Sequence, residues 1–182
     1  SDFTLGLPGV DDSALLADLS RVYSQTPDSR AYRSLVQNYG RVLINDLTVL
    51  SGVNPSTYVP ANGAVYPNSG FGTQMRQIAQ LIKSNLGLEV ASLSIGGWDT
   101  HSGQGGGQSN GQQAQRHQEF ANGIAAFYRD LGTRMNDVVL VTMTEFGRTA
   151  AENDSNGTDH GHASAWFVVG GNVNGGVYGT WP

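Results

Sequence analysis

The sequence predicts an α/β fold built around a parallel sheet, and two features of the pattern carry that prediction. Residues 89–95 (EVASLSI) and 137–144 (DVVLVTMT) are short runs rich in apolar and β-branched residues, which is typical of strands. Between them, residues 113–134 carry apolar side chains at helical spacing. Two strands joined by such a helix form a βαβ unit, whose strands are parallel.

The first part of the chain, residues 1–86, is predicted to be mostly helical. Residues 11–13 (DDS) supply N-cap chemistry for a first helix, and a second helix with regularly spaced apolar residues ends at Gly52. A third helix is expected over residues 71–82. The segment in between, 53–70, holds three prolines and three asparagines and is predicted to be a long irregular loop. Because such loops are usually functional or linkers, we expect it to cover the site described below.

The second part, residues 87–182, is the predicted α/β portion, and both parts are expected to belong to one larger domain. A third strand is predicted at 165–169 (AWFVV), and a short hairpin or edge piece at 175–179. Two or three strands are few for a parallel sheet, which needs helices on both faces. We therefore expect this chain to be an incomplete part of the fold, or to complete its sheet with another chain.

Composition excludes several classes of protein. Ten basic residues against fifteen acidic ones give a net charge of −5, so no nucleic-acid partner is expected. No apolar run approaches the roughly 20 residues that span a bilayer. The absence of cysteine excludes disulfides, thiol catalysis and cysteine-bound zinc. One lysine among many amides and hydroxyls is typical of an exported bacterial protein, so a periplasmic or secreted location is expected, although the chain opens with no signal peptide.

Two polar loops follow predicted strands, where open α/β sheets bind their ligands. The first contains Gly-Gly-Trp-Asp-Thr-His at 96–101, and the second runs from 144 to 162. Three of the four histidines lie in these loops. Carboxylates together with imidazoles suit zinc, manganese or iron, whereas carboxylates alone would suit magnesium or calcium. The sequence therefore predicts a divalent-metal site, with zinc as the first choice.

The candidate metal ligands are Asp99, His101, Asp159, His160 and His162. Asp99 and His101 point to the same side if the backbone is extended, and Asp159 and His160 could reach one ion from a tight loop. Because both loops leave the ends of parallel strands, we expect Asp99, His101, Asp159 and His160 to converge. Asp99 should lie less than about 12 Å from Asp159, since the ions of a two-metal site lie only about 4 Å apart. The alternative for His162 is a structural role.

Three further residues could act in the site or have ordinary structural roles. Glu145 and Arg148 are candidates for catalysis, and an ordinary ion pair of Arg148 with Glu145 or Glu152 is equally compatible with the sequence. A guanidinium matches the geometry of an anionic oxygen pair, so Arg148 would hold such a group. His117, on the helix between the loops, could be a ligand or a buried histidine.

The motifs GGWDTH, TEFGRT and GTDHG, with GGNVNGGVYGTWP at the end, resemble the DUF1501 family over residues 70–182. Members are bacterial proteins, commonly exported by the twin-arginine route and related to the alkaline phosphatase/sulfatase superfamily. The resemblance implies an alkaline-phosphatase-like three-layer sandwich around a parallel sheet. Residues 158–164 (TDHGHAS) are similar to a metal-binding run of alkaline phosphatases, which implies that Asp159 and His160 are ligands and that Asp99 and His101 join them.

The resemblance also implies features that this sequence lacks. The superfamily's first strand, with its metal-binding aspartate and nucleophilic hydroxyl, has no counterpart here, so the chain would hold about half of the site. The Asp-His pair directly follows a strand in sulfatase-like enzymes, whereas here Glu145 takes that place. The implied reaction is metal-assisted hydrolysis of a small anionic ester, a phosphate or a sulfate.

Two other functions are compatible with the sequence. Residues 107–111 (GQSNG) match the G-x-S-x-G motif of serine hydrolases, but that motif needs a strand before it and a glycine-rich run stands there instead. A low-charge surface rich in Gly, Asn and Gln also suits a non-catalytic extracellular protein with a structural, assembly or carbohydrate-binding role.

Overall fold

A computed structural model describes residues 11–24 and 31–180, and it contains helices and a small amount of sheet. The helices are α1 (Asp12–Tyr23), α2 (Ala31–Ser51), α3 (Gly70–Lys83) and α4 (Gln112–Leu131), the last followed by a 3-10 helix (Gly132–Asp137). The strands are β1 (Val139–Val141), β2 (Gly147–Arg148), β3 (His160–Gly161) and β4 (Val168–Gly170). The described residues divide into two compact units, one made of those up to 59 together with Gln80–Leu88, and the other of Pro60–Ala79 together with residues 89–180.

The first unit is built on the contact between α1 and α2. Asp11 is the N-cap of α1 as predicted, and its carboxylate accepts the backbone N–H of Ser13 at 2.8 Å. Gly40 lets the two helices approach closely, because a Cβ at this position would overlap the ring of Tyr23. Arg41 Nε donates to the Tyr23 carbonyl at 3.0 Å and closes the same contact. The helices predicted for residues 1–86 are confirmed as α1, α2 and α3.

The core of the second unit lies between the first part of α3 and one face of α4. Its buried apolar residues include Phe71, Met75, Ala79, Ala126, Phe127, Leu131 and Met135. Phe71 stacks on Phe120 with the ring centroids 6.2 Å apart, and a Cβ at Gly123 would overlap the Phe71 ring. This core fixes the position of α4, a helix that the sequence predicted. The loop that carries Trp98 packs on the same helix, because the Trp98 ring meets the Phe120 ring edge to face with the centroids 6.0 Å apart.

Asp130 anchors part of the irregular 53–70 loop to the C-terminal end of α4. The Asp130 carboxylate, whose residue is 1% exposed, accepts the backbone N–H of Ala61 at 2.7 Å and the hydroxyl of Tyr66 at 2.8 Å. Along the helix, Asp130 lies about 20 Å from His117, at 1.5 Å per residue. The His117 ring contacts Trp98, next to Asp99. The position of residues 61–66 therefore gives no support to the predicted role as a cover.

The strands form two separate antiparallel pairs. β1 pairs with β4 in the register Val139–Gly170, Leu140–Val169 and Val141–Val168, and β2 pairs with β3. The strands predicted at 137–144 and 165–169 are therefore confirmed in part. Within the described part of the chain no strand is assigned at 89–95 or 175–179. The parallel sheet stays a prediction, since the βαβ unit needs 89–95 as its first strand.

Candidate metal centre

The two loops predicted to carry the site are held together by backbone hydrogen bonds. Thr158 N donates to the Thr100 carbonyl at 3.1 Å, and Gln104 N donates to the Asn156 carbonyl at 2.8 Å. The side chain of Gln104 adds a second link, because its Oε1 accepts the hydroxyls of Thr100 at 2.9 Å and Thr158 at 2.8 Å. Thr100 and Thr158 are both buried, so these bonds fix the relative positions of the residues on either side of them.

Asp99, His101 and His160 form a donor triad at this junction. Asp99 Oδ1 lies 3.0 Å from His101 Nε2 and 2.8 Å from His160 Nε2. The three potential ligand atoms all lie within 4.8 Å of one another, so the triad could hold a metal ion. The side chains of Asp99, His101 and His160 are 57%, 48% and 49% exposed, which leaves the triad open to solvent. The predicted convergence of the two loops is confirmed.

Asp159 lies against the other nitrogen of the His101 ring. Its Oδ1 is 3.0 Å from His101 Nδ1, whereas the triad is built on Nε2 of the same ring. Asn153 Nδ2 donates to the same carboxylate oxygen at 3.1 Å. Asp159 therefore contacts the candidate site through Nδ1 of His101, the ring nitrogen that does not contact Asp99.

The guanidinium of Arg148 joins the two loops. Its Nη2 donates to the carbonyl of Trp98 and, at 3.0 Å, to Asp99 Oδ1, while its Nη1 donates to the carbonyl of Thr158. The antiparallel register places Arg148 directly opposite His160. The ion pair is thus made with Asp99 rather than with Glu145 or Glu152. The role of Arg148 in holding an anionic oxygen stays a prediction.

The remaining candidates lie outside the donor triad. Glu145, His117 and His162 are exposed, and none of them belongs to the group of possible ligands found among the described residues. The suggestion that His117 is a buried histidine is wrong, because its ring lies at the surface with its centroid 5.0 Å from that of Trp98. The roles predicted for Glu145 and His162 stay predictions.

Both carboxylates at the site have a pKa below the ordinary value of 3.8. The pKa of Asp99 is lowered first by the hydrogen bond from His160 and further by the charges of His101 and Arg148. The pKa of Asp159 is lowered by hydrogen bonds from His101 and Asn153. These interactions are fully present above the ordinary pKa and are lost as the pH falls through the lowered value. Both groups are therefore anionic at neutral pH, as a cation site requires.

Two contributors to the site were missed by the sequence analysis. The ring of Phe146 stacks on His160 with a centroid distance of 4.2 Å and an angle of 7°, which limits how the imidazole can turn. Asn153 donates through Nδ2 to the His101 carbonyl at 3.0 Å and to Asp159. An aromatic residue after a strand suggests core packing, and an asparagine in a loop suggests a turn, so neither residue type signals a supporting role.

Replacing Gly157 by alanine should weaken zinc binding about tenfold, as measured by calorimetric titration. Gly157 is buried, and a Cβ there would overlap the backbone of His101 and Ser102, so the loops must separate. A shift of this kind displaces His101 from Asp99, and loss of support around a ligand typically costs 10–100-fold in affinity. Gly175→Ala is the matched control, because a Cβ there meets open space. Equal affinity in the two variants would contradict the prediction.

The fold and the site together define a class: a protein of mixed helix and sheet with a carboxylate and two imidazoles that could hold a metal ion. A family model described as a protein of unknown function, DUF1501, matches residues 42–182. This match covers most of the chain, and the protein belongs to the DUF1501 family. Searches of curated proteins and of solved structures found no match. Among the described residues, no helix has the length and apolar character needed to cross a membrane.

Proposed function

We propose that this protein is a metal-dependent hydrolase of phosphate or sulfate esters. The observation that carries the proposal is the donor triad, in which Asp99 Oδ1 lies within 3.0 Å of Nε2 of both His101 and His160. One carboxylate and two imidazoles fit zinc best and manganese next, and they suit the harder calcium and magnesium ions less. Three protein ligands with an open position are also the arrangement of catalytic zinc sites.

Some residues of the site would bind the cation, and others would orient the side chains that bind it. Asp99, His101 and His160 hold the cation, and Phe146 and Asp159 limit how the two imidazoles turn. When bound, a divalent cation polarises an ester oxygen and stabilises the charge that develops on it. About half of the surface of each triad side chain is open, so an ester could approach from solvent.

We propose, further, that the family is related to the alkaline phosphatase/sulfatase superfamily and shares its three-layer sandwich. Apolar residues on the strands support this: Val139, Val141 and Val168 are 62%, 49% and 50% exposed, and further layers would cover them. Those layers, with the nucleophile, would come from a further segment of the protein or from another chain. Export to the periplasm or the cell exterior belongs to the same proposal, and the composition, with one lysine among many amides and hydroxyls, agrees with it.

The function can be tested with aryl phosphates and aryl sulfates. In the protein that includes the segment or chain supplying the nucleophile, we expect hydrolysis that requires added zinc or manganese, that is removed by a chelator, and that is lost in Asp99→Ala. Asp154→Ala is the control, because Asp154 is an exposed carboxylate on the same loop as Asp159. Metal binding without turnover, together with binding of a carbohydrate or self-association, would favour the non-catalytic extracellular role instead.

A further inference from the structure

The imidazole of His101 lies between two carboxylates. Asp99 Oδ1 is 3.0 Å from Nε2, and Asp159 Oδ1 is 3.0 Å from Nδ1. The two nitrogens of the ring point in different directions, so one carboxylate faces His160 and the triad while the other faces outward. A neutral imidazole carries one lone pair, and Nε2 can bind a cation only when the proton is on Nδ1.

We propose that Asp159 is a positioning residue, which accepts the Nδ1–H of His101 and so holds the tautomer whose Nε2 binds the cation. This inference rests on the proposed metal site. It differs from the superfamily resemblance, which implies that Asp159 is itself a ligand. A carboxylate on the second nitrogen of a ligand histidine fixes the orientation of the ring and makes the ligand nitrogen more basic.

Asn153 keeps Asp159 in this orientation. The amide Nδ2 donates to Asp159 Oδ1 at 3.1 Å and to the His101 carbonyl at 3.0 Å. The amide oxygen accepts the backbone N–H groups of Ser155 and Gly157, each at 3.0 Å. Because both ends of the amide are engaged, the side chain cannot turn over without losing four contacts. A chain of hydrogen bonds thus runs from Asn153 through Asp159 to His101 and ends at the triad.

The local backbone explains why Asp159 and His160 differ in role although they are neighbours. His160 is in β3, and its Cα is paired with that of Arg148, so its side chain lies on the same side as the Arg148–Asp99 ion pair. Successive side chains of an extended segment point to opposite sides. The Asp159 side chain therefore leaves the backbone on the other side and meets the outer nitrogen of His101.

The first experiment compares Asp159→Ala and Asp159→Asn in the full chain, with Co²⁺ as the probe metal. We expect Co²⁺ affinity to fall about 10–100-fold in the alanine variant, as is typical for loss of such a partner. The asparagine variant should lose less, because its amide oxygen can still accept the Nδ1–H. The visible absorption bands of bound Co²⁺ should keep their shape in both variants, since the ligands are unchanged. Asp154→Ala, which removes an exposed carboxylate from the same loop, should bind like the parent protein.

The second experiment locates the proton by ¹⁵N NMR of the histidine rings in the zinc-loaded protein. We expect the His101 proton on Nδ1, protected from exchange in the parent protein and unprotected in Asp159→Ala. A proton on Nε2 would overturn the proposal, because that nitrogen could not then bind the cation. Altered Co²⁺ bands in both Asp159 variants would also overturn it and would indicate that Asp159 is itself a ligand. If the parent protein binds neither Co²⁺ nor Zn²⁺, the metal site itself fails and this inference fails with it.

Discussion

Replacing Asp99 by asparagine is expected to lower the affinity for zinc by more than about 100-fold. This exceeds the 10–100-fold typical of losing a supporting group, because Asp99 is the only carboxylate of the donor triad. Its Oδ1 is shared by His101 Nε2, His160 Nε2 and Arg148 Nη2, at 2.8 to 3.0 Å. Asparagine has the same size but no charge, so the substitution removes the anionic ligand with little change in volume. Competition against a chromophoric chelator measures the affinity.

Asp154→Asn is the matched control for the loss of charge, since that carboxylate is exposed on the neighbouring loop. Circular dichroism should give the same helical content for the parent protein and both variants, because the Asp99 side chain is more than half exposed and supports no helix. Zinc affinity within threefold of the parent value in a folded Asp99→Asn protein would remove the triad as the metal site.

The approach of the two loops could be predicted because both follow predicted strands and both carry residue types that bind metals. Aspartate and histidine two positions apart in Asp99-Thr-His101, and adjacent in Asp159-His160, are typical of metal ligands, and the structure places three of these four side chains in the triad. That Asp159 lies outside the triad while its neighbour His160 belongs to it could not be predicted. It depends on which side of the backbone each residue leaves, and hence on the β2–β3 register.

The helices were predictable from local patterns, whereas the sheet was not. The apolar spacing of α1 and α2, with the cap at Asp11, is contained within a few turns of sequence. A strand needs a partner that can lie anywhere in the chain. β1 pairs with β4, almost thirty residues later, in an antiparallel arrangement that the alternation of strands and helix did not indicate. Residues 89–95 have the composition of a strand, but in the described part of the chain no ladder contains them.

The attachment of residues 61–66 to α4 also could not be predicted from the sequence. A single aspartate in an amphipathic helix suggests a side chain on the solvent-exposed face. Asp130 is instead 1% exposed, and its two oxygens accept Ala61 N and the Tyr66 hydroxyl at 2.7 and 2.8 Å. A carboxylate buried to this degree is tolerated only when its oxygens are bonded. The hydrogen bonds therefore join a stretch of irregular chain to the core at Leu131 and Met135, which are buried beside it.

Replacing Asp130 by alanine should reduce the free energy of unfolding by about 2 kcal/mol, because it removes two hydrogen bonds to a buried carboxylate, and each such bond contributes about 1 kcal/mol net. Urea unfolding followed by circular dichroism measures the change. Tyr66→Phe removes only one of the two bonds, so its expected loss is smaller, at about 1 kcal/mol. Asp137→Ala is the control for charge, because that residue is exposed, and a change within about 0.5 kcal/mol is expected. Equal losses in Asp130→Ala and Asp137→Ala would mean that the anchor does not stabilise the unit. Zinc affinity should survive Asp130→Ala, because about 20 Å of helix separates Asp130 from His117, whose ring contacts Trp98 next to Asp99.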